Sequence, residues 1–200
     1  MILDSFPRKK VDFSGESGII KERSQKSITP ITDKSVEKVP KIKIQGYTDE
    51  QCDIIQYQHK ELLKYARDNN ENNEVAFVFD MNLSNRKEFE GSDDKLDFGT
   101  SLYGKDLFVM HNHPRNSSYS TTDLIFFRNN TNVKTFTIVK NNGNVEYMTK
   151  TSDFDFYKFK LEYDRLYKKI VTTGTDNEID KFVRTFLSKT KSGVIWSERK

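Results

Sequence analysis

The sequence has a single cysteine, Cys52, in 200 residues. That excludes an intramolecular disulfide and any zinc site built from several thiolates, and it fits a reducing, cytoplasmic setting. Proline is nearly as scarce. Three of the four (Pro7, Pro30, Pro40) lie in the first 45 residues, and the fourth, Pro114, directly follows two of the only three histidines. No apolar run approaches the roughly 18–20 residues that cross a bilayer, so no membrane partner is expected. The start, Met1-Ile2-Leu3-Asp4, lacks the basic-then-apolar order of a secretory signal. No internal repeat is evident.

What is present is polar. Hydrophobic residues make up 34% and charged residues 32%, with a mean hydropathy of −0.77. A chain of this composition is expected to leave part of its length unpacked. Residues 1–45 carry ten Lys/Arg against six Asp/Glu, whereas residues 46–200 carry 23 against 24. The near-neutral body argues against a DNA-binding surface and leaves only weak nucleic-acid contact through the basic segment. The expected organisation is a flexible basic tail over 1–45, a compact body over 46–150 and a C-terminal helical extension over 151–200. Within the tail, Lys41-Ile42-Lys43-Ile44 alternates like an edge strand that docks on the body.

Order is expected from Thr48. Thr48-Asp49-Glu50-Gln51 reads as a capping box, and Cys52, Ile55, His59, Leu62 and Ala66 recur at helical spacing up to the polar cluster 68–73. On that face His59 and Cys52 read as packing residues. Val75–Phe79 and Leu107–Met110 are apolar throughout, as buried strands are. A short strand around Lys87–Glu90, a helix over Thr121–Arg128 and a hairpin of Val133–Val139 with Val145–Met148 follow. The hairpin turns at Asn141-Asn142-Gly143-Asn144. A helical pattern from Phe154, with an aromatic stripe over 154–170, and a helix over Glu178–Leu187 complete the chain, with Trp196 as a C-terminal anchor. The order predicts an α/β domain with a mixed sheet flanked by helices.

Chemistry concentrates in His111-Asn112-His113-Pro114 and in Ser120-Thr121-Thr122-Asp123. Histidines at i and i+2 of an extended chain face the same side. With Asp123 they suit a zinc ion that keeps a fourth position for water and lowers the pKa of that water toward about 7. A general base must then move the proton. Glu74, opening the Val75–Phe79 strand, is the first candidate, with Glu71, Glu88 and Glu90 as alternatives. Ser120 can donate to a developing oxyanion. Ser120 and Asp123 also form a helix N-terminal signature, a role compatible with ligation.

An upstream Glu, His-x-His-Pro and Ser-x-x-Asp together resemble the JAMM motif of the MPN+ (JAB domain) metalloproteases. Asn112 between the histidines is closer to the RadC-like bacterial and phage branch than to the eukaryotic deubiquitinases, which favour Ser or Thr there. The resemblance covers about residues 46–150 and implies a cytidine-deaminase-like fold. It implies Zn2+ held by His111, His113 and Asp123, with Glu74 as acid/base and Ser120 at the oxyanion. The expected activity is cleavage of a peptide or isopeptide bond in a protein or peptide substrate. The alternative is a RadC-like or mobile-element module with a DNA-related or assembly role. The family usually places seven residues between the second histidine and the serine, and this chain has six, Pro114 to Tyr119. The Pro-Cys-x-x-Cys pair of the deaminases is absent, as is His-Glu-x-x-His.

Overall fold

The computed structural model describes residues 27–92, 96–98, 102 and 105–199. Helix α1 (Asp33–Lys38) and the long α2 (Asp49–Asn69) precede strands β1 (Val75–Asp80), β2 (Lys87–Glu90) and β3 (Leu107–His113). Helix α3 (Thr121–Asn129), strands β4 (Val133–Lys140) and β5 (Val145–Lys150), helices α4 (Phe156–Ile170) and α5 (Asp176–Lys189), and strand β6 (Val194–Arg199) follow. The strands form one six-stranded sheet in the order β2-β1-β3-β4-β5-β6. Only β3 and β4 pair in parallel, and every other neighbour is antiparallel. The expected mixed sheet with flanking helices is present.

The sheet separates two cores. On one face α2 buries Ile55, Leu62, Leu63 and Ala66 against Val75, Phe77, Phe79, Phe108 and Met110. On the other, α3, α4 and α5 bring Leu124, Phe127, Phe159, Phe182 and Phe186 against Val109, Phe136, Ile138 and Met148. Full burial of each such side chain is worth about 1.5–3 kcal/mol, which explains why β1 and the first part of β3 read as apolar runs rather than as alternating ones. The capping box at Thr48 forms as the sequence implies, with the Thr48 hydroxyl accepting from Gln51 N and Gln51 Oε1 accepting from Thr48 N. His59 and Cys52 lie on the buried face of α2.

Two expectations change. The leading segment packs from Ile31 onward. Ile31, Val36, Val39, Ile42 and Ile44 are all buried in the α2-side core, and Ile42 and Ile44 alternate inward with Lys41 and Lys43 outward without joining the sheet. Isolated apolar residues without a period gave no helical or strand signal, yet their spacing matches the groove beside α2. The part of the expected tail over 1–26 lies outside the described residues. Trp196 anchors the C-terminus as expected, packed on the α3-side core, but the apolar end around it is an edge strand paired with β5 rather than a tail. The hairpin turn is as predicted: Gly143 adopts φ +89 and closes on Lys140, and a Cβ there would collide with the Ser35 carbonyl. Among the described residues, no helix is long and apolar enough to cross a membrane.

Candidate metal centre

His111 and His113 occupy the last turns of the pleat in β3, and both rings point to the α3 side with Val109. Their Nε2 atoms lie 2.8 Å apart. His113 Nδ1 faces the Ser117 carbonyl at 3.2 Å and the Ser117 hydroxyl at 3.1 Å. An Nδ1–H donated to that carbonyl leaves Nε2 with its lone pair, the tautomer a metal needs. The His111 ring stacks on Phe136 at 4.7 Å between centroids, which fixes its plane.

Asp123 arrives from α3. Ser120 is the N-cap, and the capping box is complete: the Ser120 hydroxyl accepts from Asp123 N at 3.0 Å, while Asp123 Oδ2 accepts from Ser120 N at 2.7 Å. The Ser120 hydroxyl also donates to Oδ2 at 2.7 Å. Asp123 Oδ1 is 3.5 Å from His111 Nε2, and Oδ2 is 3.5 Å from His113 Nε2. The cap and the acidic cluster are thus one arrangement. The shorter spacer fits because it is pinned at its end: Ser118 donates to Glu146 at 2.8 Å, and the buried Tyr119 hydroxyl donates to the Phe136 carbonyl at 2.6 Å.

Glu74 is buried, and its Oε1 lies 3.4 Å from His111 Nε2. The sheet register separates it from its rivals. Glu88 pairs with Phe77 and Glu90 with Val75, so both face the α2 side, away from the imidazoles. Glu90 accepts there from the Tyr65 hydroxyl. Glu71 is exposed in the turn after α2.

The donor set fits a metal ion. One ligand atom each from Glu74, His111 and His113 fall within 4.8 Å of one another. A tetrahedral zinc with bonds of about 2.0–2.2 Å holds its donors roughly 3.3–3.6 Å apart. The Glu74–His111 separation of 3.4 Å and the 3.5 Å from Asp123 Oδ1 to His111 and from Oδ2 to His113 are already at that edge length. The two imidazole nitrogens, 2.8 Å apart, must open slightly. Burial opposes ionisation of Asp123, but hydrogen bonds and charge from His111 and His113 hold its carboxyl well below the usual range. Burial lowers His111, while in His113 it is outweighed by Asp123 and Glu74, which raise it.

Some supporting residues carried no local sequence signal. Lys140 and Glu146 form a buried ion pair at 2.6 Å, and Glu146 also accepts from Ser118 and from Trp196 Nε1. Ser117 looks like spacer in the sequence. Compared with known proteins, the chain matches no family model, no curated protein and no solved structure.

Proposed function

We propose that this chain is a zinc-dependent hydrolase of the JAMM type. One observation carries the reading. Side chains from three separate elements, the start of β1, the end of β3 and the first turn of α3, converge on one point at 2.8–3.5 Å. Two imidazoles and two carboxylates form a donor set of the kind that divalent zinc neutralises.

In this reading His111, His113 and Asp123 hold the ion, which when bound supplies an acidified water. Glu74 is the group that would accept a proton from such a water and return it to a leaving amine. Its burial keeps the carboxylate out of bulk solvent. Ser120 orients Asp123 through its backbone N–H and hydroxyl, and that hydroxyl is the donor that would serve an oxyanion. The resemblance of the motif to the JAMM metalloproteases supplies the substrate class, a peptide or isopeptide bond, and the cytidine-deaminase-like form of the α/β sandwich.

Elemental analysis of full-length protein purified without added metal should find about one zinc per chain. A zinc-dependent cleavage of a peptide library should be lost in Glu74→Gln with the zinc retained. Absence of metal at neutral pH, or metal retained in the His111→Ala/His113→Ala double variant, overturns the proposal.

A further inference from the structure

The residue between the two histidines faces the opposite side of β3, because side chains alternate along a strand. Asn112 is fully buried there, and its carboxamide is completely used. Oδ1 accepts from Val75 N at 2.7 Å. Nδ2 donates to the Asn73 carbonyl at 3.1 Å and to Asn141 Oδ1 at 2.9 Å. Asn73 and Val75 are the residues on either side of Glu74.

The backbone ladder explains why a side chain is needed. Pairing between β1 and β3 ends at Ala76 with His111. The next β1 donor, Val75 N, receives a side-chain oxygen in place of a backbone carbonyl. Glu74 therefore sits where β1 leaves the sheet. Its own carbonyl is held from the other side by Gly91 N at 2.8 Å and by Asn70 Nδ2 at 2.9 Å. The grip is anchored in turn, since Asn141 Nδ2 donates to the Asn72 and Thr29 carbonyls.

We propose that Asn112 is the positioning residue for Glu74, clamping the backbone before and after it so that its carboxylate is set against the metal-bound water. This rests on the hydrolase reading above. Only a carboxamide meets the three demands at that point, one acceptor and two donors on a short stem. The tripeptide His111-Asn112-His113 thus serves two faces: its outer residues hold the ion, and its middle one sets the distance to the base.

The test uses the full chain loaded with Co2+, whose visible spectrum reports the bound water as pH is varied. Wild-type protein should show a pH-dependent change, and Glu74→Gln should move its midpoint. Asn112→Ala and Asn112→Ser should move the midpoint in the same direction by about 0.5 unit or more. Their Co2+ affinity should stay within about threefold, rather than falling the 10–100-fold expected when a partner of a ligand is lost. In a Glu74→Gln background Asn112→Ala should add no further shift. Where the Asn112 variants do not fold, Asn141→Ala removes one anchor of the carboxamide and should give a smaller shift of the same sign. An unchanged midpoint in these variants, with Glu74→Gln shifted, overturns the positioning role and leaves the hydrolase reading standing. Failure of the wild-type chain to bind Co2+ overturns the hydrolase reading itself.

Discussion

His59 offers a quantitative check on the packing beneath the candidate centre. It is fully buried on α2, and its Nε2 lies 2.8 Å from Thr137 Oγ1 on β4, one strand over from Met110. Burial pushes its pKa from 6.5 down to about 3. The unfolded chain therefore binds this proton at a pH where the folded chain does not. Stability from His59 is full above about pH 6.5 and is lost as pH falls toward 3. At pH 5 the loss relative to pH 7.5 is about 2 kcal/mol, and the limit well below pH 3 is roughly 5 kcal/mol. Against a typical 5–15 kcal/mol for a domain, that is a large fraction. The assay is urea unfolding of wild-type and His59→Gln protein at pH 7.5 and pH 5. Glutamine keeps a hydrogen-bonding group near Thr137 and removes the titration. The difference between the two proteins should change by about 2 kcal/mol between the two pH values. A change below about 0.5 kcal/mol refutes the argument, because a buried ring that cannot take a proton must show this linkage.

Four further outcomes are expected. Zn2+ at about 1,000 times its Kd should stabilise the chain by about 4 kcal/mol, or roughly 8–16 °C in Tm by scanning calorimetry, and have no such effect on the His111→Ala/His113→Ala variant. That affinity should fall as pH drops, because Asp123 and Glu74 outweigh burial to raise the His113 pKa and the proton must leave before the metal binds; a pH-independent titration between pH 8 and 5, taken as an order-of-magnitude window around the ordinary His value, contradicts it. Ser120→Ala removes the α3 cap and the donor that orients Asp123, and should cost about 1 kcal/mol in urea unfolding and about tenfold or more in zinc affinity. Gly143→Ala forces a side chain at φ +89 into the Ser35 carbonyl and should destabilise by more than about 1 kcal/mol, with new protease cleavage near α1.

What was legible in the sequence was whatever has a local cause. The α2 start was visible because Thr48 and Gln51 cap it within four residues, and β1 and β4 were visible because both their faces are buried. The candidate site was visible because its donors sit beside strong local signals: the histidines at a strand end, Asp123 in a cap, Glu74 at a strand start. What stayed hidden depends on partners far away in the chain. Ile31, Val36 and Ile42 have no periodicity of their own and are buried only because α2 and the sheet make a groove. Val194–Trp196 is a strand only because β5 offers an open edge. Asn112 distinguished the branch the motif resembles, but its structural role stayed hidden because the groups it holds, at Asn73, Val75 and Asn141, are 29–39 positions away.

The direction of the strands explains why the motif's parts occur in this order. β3 and β4 run in parallel, so the chain must cross back over the sheet between them, and α3 makes that crossing. A helix that starts just beyond the end of β3 brings its N-terminus to the same edge as His111 and His113, which delivers Asp123 in the first turn. β1 is antiparallel to β3, so its beginning, not its end, lies at that edge. A carboxylate brought to that edge by β1 must therefore precede its strand, as Glu74 does, while imidazoles brought there by β3 must close theirs. Glu88 and Glu90 are near in sequence yet barred by the same logic, since their register turns them to the α2 face. Moving the acid to the far end of β1, at Asp80, would place it beside Leu107, six residues along β3 from His113 and about 20 Å away at the rise of an extended strand. The order of Glu, the two histidines and the capping Asp is what one antiparallel and one parallel neighbour of β3 require for four side chains to meet.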